Sequence, residues 1–92
     1  MDNEQLTIVN TMKTMSKETK LSPEKLIERA KEYFVGRFGF KVVEEAANCC
    51  VEFANDLGFV NVQVLDKGGC REITLTTIEW EYQIEEFLGK LK

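Results

Sequence analysis

The spacing of hydrophobic residues along the chain passes from a helical period to an alternating one and back again. From Ser22 onward, Leu26, Ile27, Ala30, Tyr33 and Phe34 recur at intervals of three and four, which lays one apolar stripe along a helix. Its start is well marked. Ser22 can cap, Pro23 fits the first turn where its missing N–H is harmless, and Glu24 suits the positive end of the helix dipole. Gly36 and Gly39 bracket the exit. Further on, Val60, Val62 and Val64 alternate with Asn61 and Gln63, and Ile73 and Leu75 alternate with Thr74 and Thr76, the signature of two half-buried strands. A two-residue turn at Lys67–Gly68 would set Val62 against Ile73 and Val60 against Leu75 on one side. The helical period then returns with Trp80, Ile84, Phe87, Leu88 and Leu91. Thr76 with Glu79 reads as a capping box, and Lys90 and Lys92 suit the negative dipole end.

Between these segments, residues 42–57 fit two patterns. As a helix, Val42, Val43, Ala46, Cys49, Cys50, Phe53 and Leu57 share a stripe that stops at Gly58. As strands, a loop from Asn55 to Gly58 pairs Ala54 with Phe59, Phe53 with Val60, Val51 with Val62 and Cys49 with Val64. A second loop, Glu45 to Asn48, pairs Glu44 with Cys49, Val42 with Val51 and Phe40 with Phe53. Phe40 and Val42, then Cys49, Val51 and Phe53, then Val60, Val62 and Val64, and finally Ile73 and Leu75 all face one side, and the two amphipathic helices are available to cover it. The helical reading leaves a single hairpin, which is marginal alone. The expected fold is therefore α+β: a helix, a four-stranded antiparallel meander and a helix, with both helices on one sheet face. The alternative is two or three helices, one β-hairpin and the C-terminal helix.

Residues 1–20 carry only a thin stripe, Leu6, Val9 and Met12 or Ile8, Met12 and Met15, weakened by threonine and asparagine. They read as an N-terminal arm, docked or loose, with the balance towards loose. Residues 21–92 form the single domain. At 92 residues, 43% hydrophobic and 30% charged, the chain has ordinary globular composition. Its net charge of −4, with lysine and arginine scattered among glutamates, argues against a nucleic-acid partner. No apolar run is long enough to span a bilayer, and the first residues lack the build of a signal peptide. No membrane partner is expected, and the expected location is the cytoplasm, where thiols stay reduced.

The run from Ser22 to Lys90 resembles a group of small, functionally uncharacterised prokaryotic proteins. The resemblance is carried by "GFKVVEE", "CCVEF", "GFVNVQV" and "EWEYQIEEFL", with Trp80–Glu81–Tyr82–Gln83 the most specific part. In that group the turn after the "CCVEF"-like strand is rich in glycine, which implies a hairpin. This chain has Ala54–Asn55–Asp56–Leu57 there instead. The group carries no assigned activity.

Candidate chemistry is thin. Three cysteines come without histidine and without Cys-x-x-Cys spacing, so no metal or cofactor site is expected. In a strand, Cys49 would point into the core and Cys50 outward, and a bond between neighbours would close a strained ring. Cys50 and Cys70 would share the outer face with a strand between them, ~9.6 Å apart, beyond bridging distance. All three are expected to be reduced thiols. The carboxylates Glu44, Glu45, Glu79, Glu81, Glu85 and Glu86 fall on solvated faces or turns, so no catalytic residue is singled out. Trp80 reads as core and Tyr82 as a border residue.

The pairing leaves Lys41, Val43, Cys50, Glu52, Phe59, Asn61, Gln63, Leu65, Glu72 and Thr74 on the sheet face away from the helices. That mixture suits a contact surface for another protein, a second copy or the N-terminal arm. The expected function is a non-catalytic protein-interaction or self-association module using this face. The alternative is a small-molecule-binding protein or enzyme with a thiol or carboxylate site.

Overall fold

A computed structural model of the chain describes residues 12–47 and 49–91. Seven elements follow in order: β1 (Met12–Thr19), α1 (Pro23–Lys31), β2 (Lys41–Ala46), β3 (Cys50–Ala54), β4 (Phe59–Asp66), β5 (Arg71–Ile78) and α2 (Glu81–Lys90). The fold is α+β, one five-stranded antiparallel sheet in the order β1-β5-β4-β3-β2, with the two helices packed on one face.

Helix α1 starts as its sequence dictates: the Ser22 hydroxyl accepts the Lys25 N–H at 3.2 Å, with Pro23 in the first turn. Leu26, Ile27 and Ala30 are its buried residues. The helix then widens into a π-helical turn over Glu32–Arg37, and Gly36 lies inside that turn. Gly39, at φ +72°, ends it in the left-handed region that glycine adopts without penalty.

The expected four-stranded meander is corrected to five strands, because residues 12–19 pair along all of β5, from Met12 opposite Ile78 to Thr19 opposite Arg71. Threonines that weaken a helix suit a strand, and without β1 the edge of β5 would stand unpaired. Lys17 fixes the strand further. Its ammonium donates to the carbonyls of Leu88 and Leu91, at 2.8 and 2.9 Å, and so caps the end of α2. Leu6, Ile8 and Val9 of the expected stripe lie outside the described residues.

The β3–β4 register agrees with the sequence reading, Ala54 opposite Phe59 and Val51 opposite Val62. Asn55 makes the turn, its side-chain oxygen accepting the N–H groups of Leu57 and Gly58. The β4–β5 register differs by two residues: Val62 faces Leu75, Val64 faces Ile73, and Asp66 faces Arg71. The loop holds four residues, Lys67 to Cys70, because the Asp66 carboxylate accepts the Gly68 N–H and Lys67 N–H bonds the Cys70 carbonyl. A slip of two preserves every inward and outward position.

Two further expectations fail nearby. β5 continues through Ile78, so Thr76 belongs to a strand and no capping box forms. The buried Thr77 hydroxyl donates to the Phe59 carbonyl at 2.6 Å, which holds this stretch in the sheet. Glu79 instead takes a left-handed φ of 81°, and Trp80 occupies the cap position of α2 without a side-chain cap bond. In β2 the expected pairs Val42–Val51 and Phe40–Phe53 give way to Val42 opposite Phe53 and Glu45 opposite Val51, with a bulge at Val43. The loop expected from Glu45 to Asn48 shortens accordingly, since Ala46 pairs with Cys50; Asn48 lies outside the described residues.

The core fills the space between sheet and helices. Val51, Phe53, Val60, Val62, Ile73 and Leu75 meet Leu26 and Ala30 of α1, Phe34 of the π-helical turn, and Ile84, Phe87 and Leu88 of α2. Phe34 sits at its centre, with ring centroids 5.4 Å from Phe53, 5.5 Å from Phe87 and 5.7 Å from Phe40, all within favourable aromatic spacing. Trp80 packs against Phe38 and Phe40 at the margin of this core. Val42 belongs to the inner side by its pairing but stays 42% exposed, since β2 lies at the sheet's edge.

Candidate interaction surface

The face of the sheet opposite the helices is built from alternate residues of all five strands. One row runs Ser16, Thr74, Gln63, Cys50 and Ala46. A second runs Thr14, Thr76, Asn61, Glu52 and Glu44, and a third runs Met12, Ile78, Phe59, Ala54 and Lys41. Glu18, Glu72 and Leu65 form a shorter fourth row. Nine of the ten residues expected on this face share it by register, whereas Val43 is the bulged residue without a partner, 57% exposed.

Its polar groups are linked laterally. Hydroxyls of Thr14 and Thr76 lie 3.2 Å apart, and those of Ser16 and Thr74 lie 2.9 Å apart. The Asn61 amide donates to Glu52 Oε1 at 3.0 Å. Glu44 stands directly opposite Glu52, a like-charge pair that is unfavourable across strands, and the Asn61 amide offsets part of that repulsion. Glu44, Cys50, Glu52, Asn61 and Gln63 line a cleft of about 280 Å³ beside β2. At the far end Lys67 bridges Glu18 and Glu72, at 3.1 and 3.4 Å. The hydrogen bond to Glu18, followed by the charge of Glu72, raises the Lys67 pKa.

The left half of the face, Met12, Thr14, Ser16 and Glu18 of β1, was missed by sequence reasoning. The available signal was alternation: these polar positions interleave with Met15, which packs on the core, and the part-buried Lys17. The thiols are also placed differently from expectation. Cys49 belongs to the turn before β3, so strand alternation does not separate it from Cys50, and the two are joined in a disulfide. Cys70, the free cysteine, closes the β4–β5 loop instead of lying within a strand.

Among the described residues no group of three or more histidine, cysteine or acidic side chains is arranged to hold a metal ion. No described helix is long and apolar enough to cross a membrane. No protein-family model matches the chain, and no curated protein matches it.

Proposed function

We propose that the protein is a non-catalytic interaction module that associates with a second copy or another protein through the outer face of its sheet. One observation carries this reading: both helices cover the inner face, while the outer face stays uncovered by the described residues and its β1–β5–β4 part carries no charge in the two central rows. Ser16, Thr74, Gln63, Thr14, Thr76 and Asn61 are short or neutral polar side chains. Burying them against a partner requires hydrogen-bond exchange but no desolvation of ions. Interface centres are depleted of charged residues in the same way, and their rims are polar. Here Glu18, Glu72, Lys67 and Lys41 stand around that patch, and Glu52 and Glu44 bound it on the β3–β2 side.

The dimensions suit the role. Five strands of up to eight residues give a face roughly 24 Å on each side, from ~4.8 Å per strand and ~3.3 Å per residue. That is a footprint of about 580 Å², below the ~800 Å² per partner of a standard interface and in keeping with a smaller contact. The test is the double variant Asn61→Lys with Gln63→Lys, followed by light scattering over a concentration series and by partner capture. Loss of association with the fold intact is the expected result. Unchanged oligomeric state and unchanged capture would overturn the reading.

A further inference from the structure

On the opposite side of the molecule, α1 and α2 enclose a cleft of about 250 Å³. Its floor is apolar, made by Tyr33, Phe87 and Leu91, and its rim carries Arg29, Arg37 and Lys90. The Arg37 guanidinium carbon lies 5.3 Å from the Tyr33 ring centroid, and the Lys90 ammonium lies 5.8 Å from it. Two cations from different helices therefore share one ring face or edge, within the range of cation–π attraction. In a chain of net charge −4, this concentration of positive charge runs against the overall balance.

The three cations also lack a carboxylate partner among the described residues. Lys31, Lys67 and Arg71 form ion pairs with carboxylates, whereas Arg29, Arg37 and Lys90 form none among the described residues. Of the nearby carboxylates, Glu32 shares the rim, and Glu86 is already engaged as acceptor of the Tyr33 hydroxyl. Basic side chains near a helix C-terminus are ordinarily accounted for by the helix dipole. That account covers each residue singly, but not their convergence from two helices on a common apolar floor. The π-helical turn supplies Glu32, Tyr33 and Arg37 to this cleft. Such turns forgo regular hydrogen bonding and are found frequently at functional sites.

We propose that the cleft binds a small organic anion, a carboxylate or phosphate monoester on a flat apolar body. The body lies on Tyr33, Phe87 and Leu91, and the head group meets Arg29, Arg37 and Lys90. Arginine suits this role because its planar fork matches carboxylate and phosphate oxygens in pairs. The size of the cleft, slightly below the range of drug-sized pockets, limits the ligand to about one ring and its head group. This site is independent of the sheet-face reading and stands if that reading fails.

Amide chemical-shift titration of the whole chain tests it, with phenyl phosphate, benzoate, inorganic phosphate and benzyl alcohol as probes. The expected result is saturable shifts confined to residues 29–37 and 87–91. Phenyl phosphate or benzoate should bind at least tenfold more tightly than inorganic phosphate or benzyl alcohol, and the tighter of the two identifies the preferred head group. Arg29→Gln with Arg37→Gln, both exposed positions, should weaken binding at least tenfold while leaving the remaining spectrum in place. Asn61→Lys with Gln63→Lys should leave the titration unchanged. Absence of saturable shifts, shifts scattered over Lys25, Lys41 and Lys67, or a double arginine variant that titrates like the wild type would overturn the proposal.

Discussion

Strand β1 closes one edge of the sheet with eight paired residues and a lysine that reaches the end of α2, whereas β2 closes the other with every residue exposed and its ladder broken at Val43. Outside its ladder, β2 is tied to α1 by the Lys31–Glu45 ion pair at 2.7 Å, between side chains 40% and 37% exposed. The pairing chemistry at the two edges is the same. What differs is the partly desolvated contact that β1 adds and β2 lacks, and local stability follows such contacts more than strand length. The β2 edge is protected from unwanted pairing by its bulge and its glutamates, devices that discourage a neighbouring chain from extending the sheet. β1 is instead held closed against the rest of the molecule.

The largest effect is expected from a lesion under the anchored edge. A Cβ at Gly58 would lie 2.3 Å from the Ile78 carbonyl oxygen, at the end of the strand on which β1 rests. Backbone must move, so Gly58→Ala should cost roughly 3 kcal/mol in denaturant unfolding, the upper end for overpacking. Lys17→Met keeps the aliphatic stem and removes two charge-assisted hydrogen bonds. A loss of about 2 kcal/mol is expected, and amide exchange in β1 should rise to the level of β2. If exchange in β1 stays slow, the lysine is not what distinguishes the edges. Lys31→Ala should cost less than ~0.5 kcal/mol, as exposed ion pairs generally do, and should leave exchange in β1 unchanged.

The smallest effect concerns Lys67, which ties the β4–β5 loop to Glu18 of β1. Its pKa is raised from 10.5, so its support is complete below that value and fades as pH climbs through the folded pKa. Alkaline melting curves of the wild type should show a slight extra decline that Lys67→Gln lacks. Equal curves would remove this contact from the account of β1.

Much of the architecture could be read from alternation alone. The inner positions Val51, Phe53, Val60, Val62, Ile73 and Leu75 are buried as expected, since burial on one face forces parity even where register slips by two. Local chemistry was less legible. The capping box at Thr76–Glu79 met every sequence criterion, yet the buried Thr77 hydroxyl donates to the Phe59 carbonyl and keeps the segment extended. The bulge at Val43 leaves no mark in a run as ambiguous as "KVVEEA". β1 was hidden for a related reason: its inner side carries Lys17 where a hydrophobic residue would have announced a strand. Nine of the ten outer-face residues followed from parity and share that face in the structure, Val43 being displaced by its bulge, whereas the cationic cleft depends on two helices meeting, which no single stretch of sequence encodes.

Lys17 also imposes an order of events on the growing polypeptide. Its acceptors, Leu88 and Leu91, lie 71 and 74 positions downstream, and the strand it belongs to pairs with residues 71–78. During synthesis β1 therefore leaves the ribosome well before β5 and α2 and finds its final place only after both have followed. Contacts of such long sequence separation slow folding, and until α2 emerges Lys17 has no acceptors with which to hold β1 on β5.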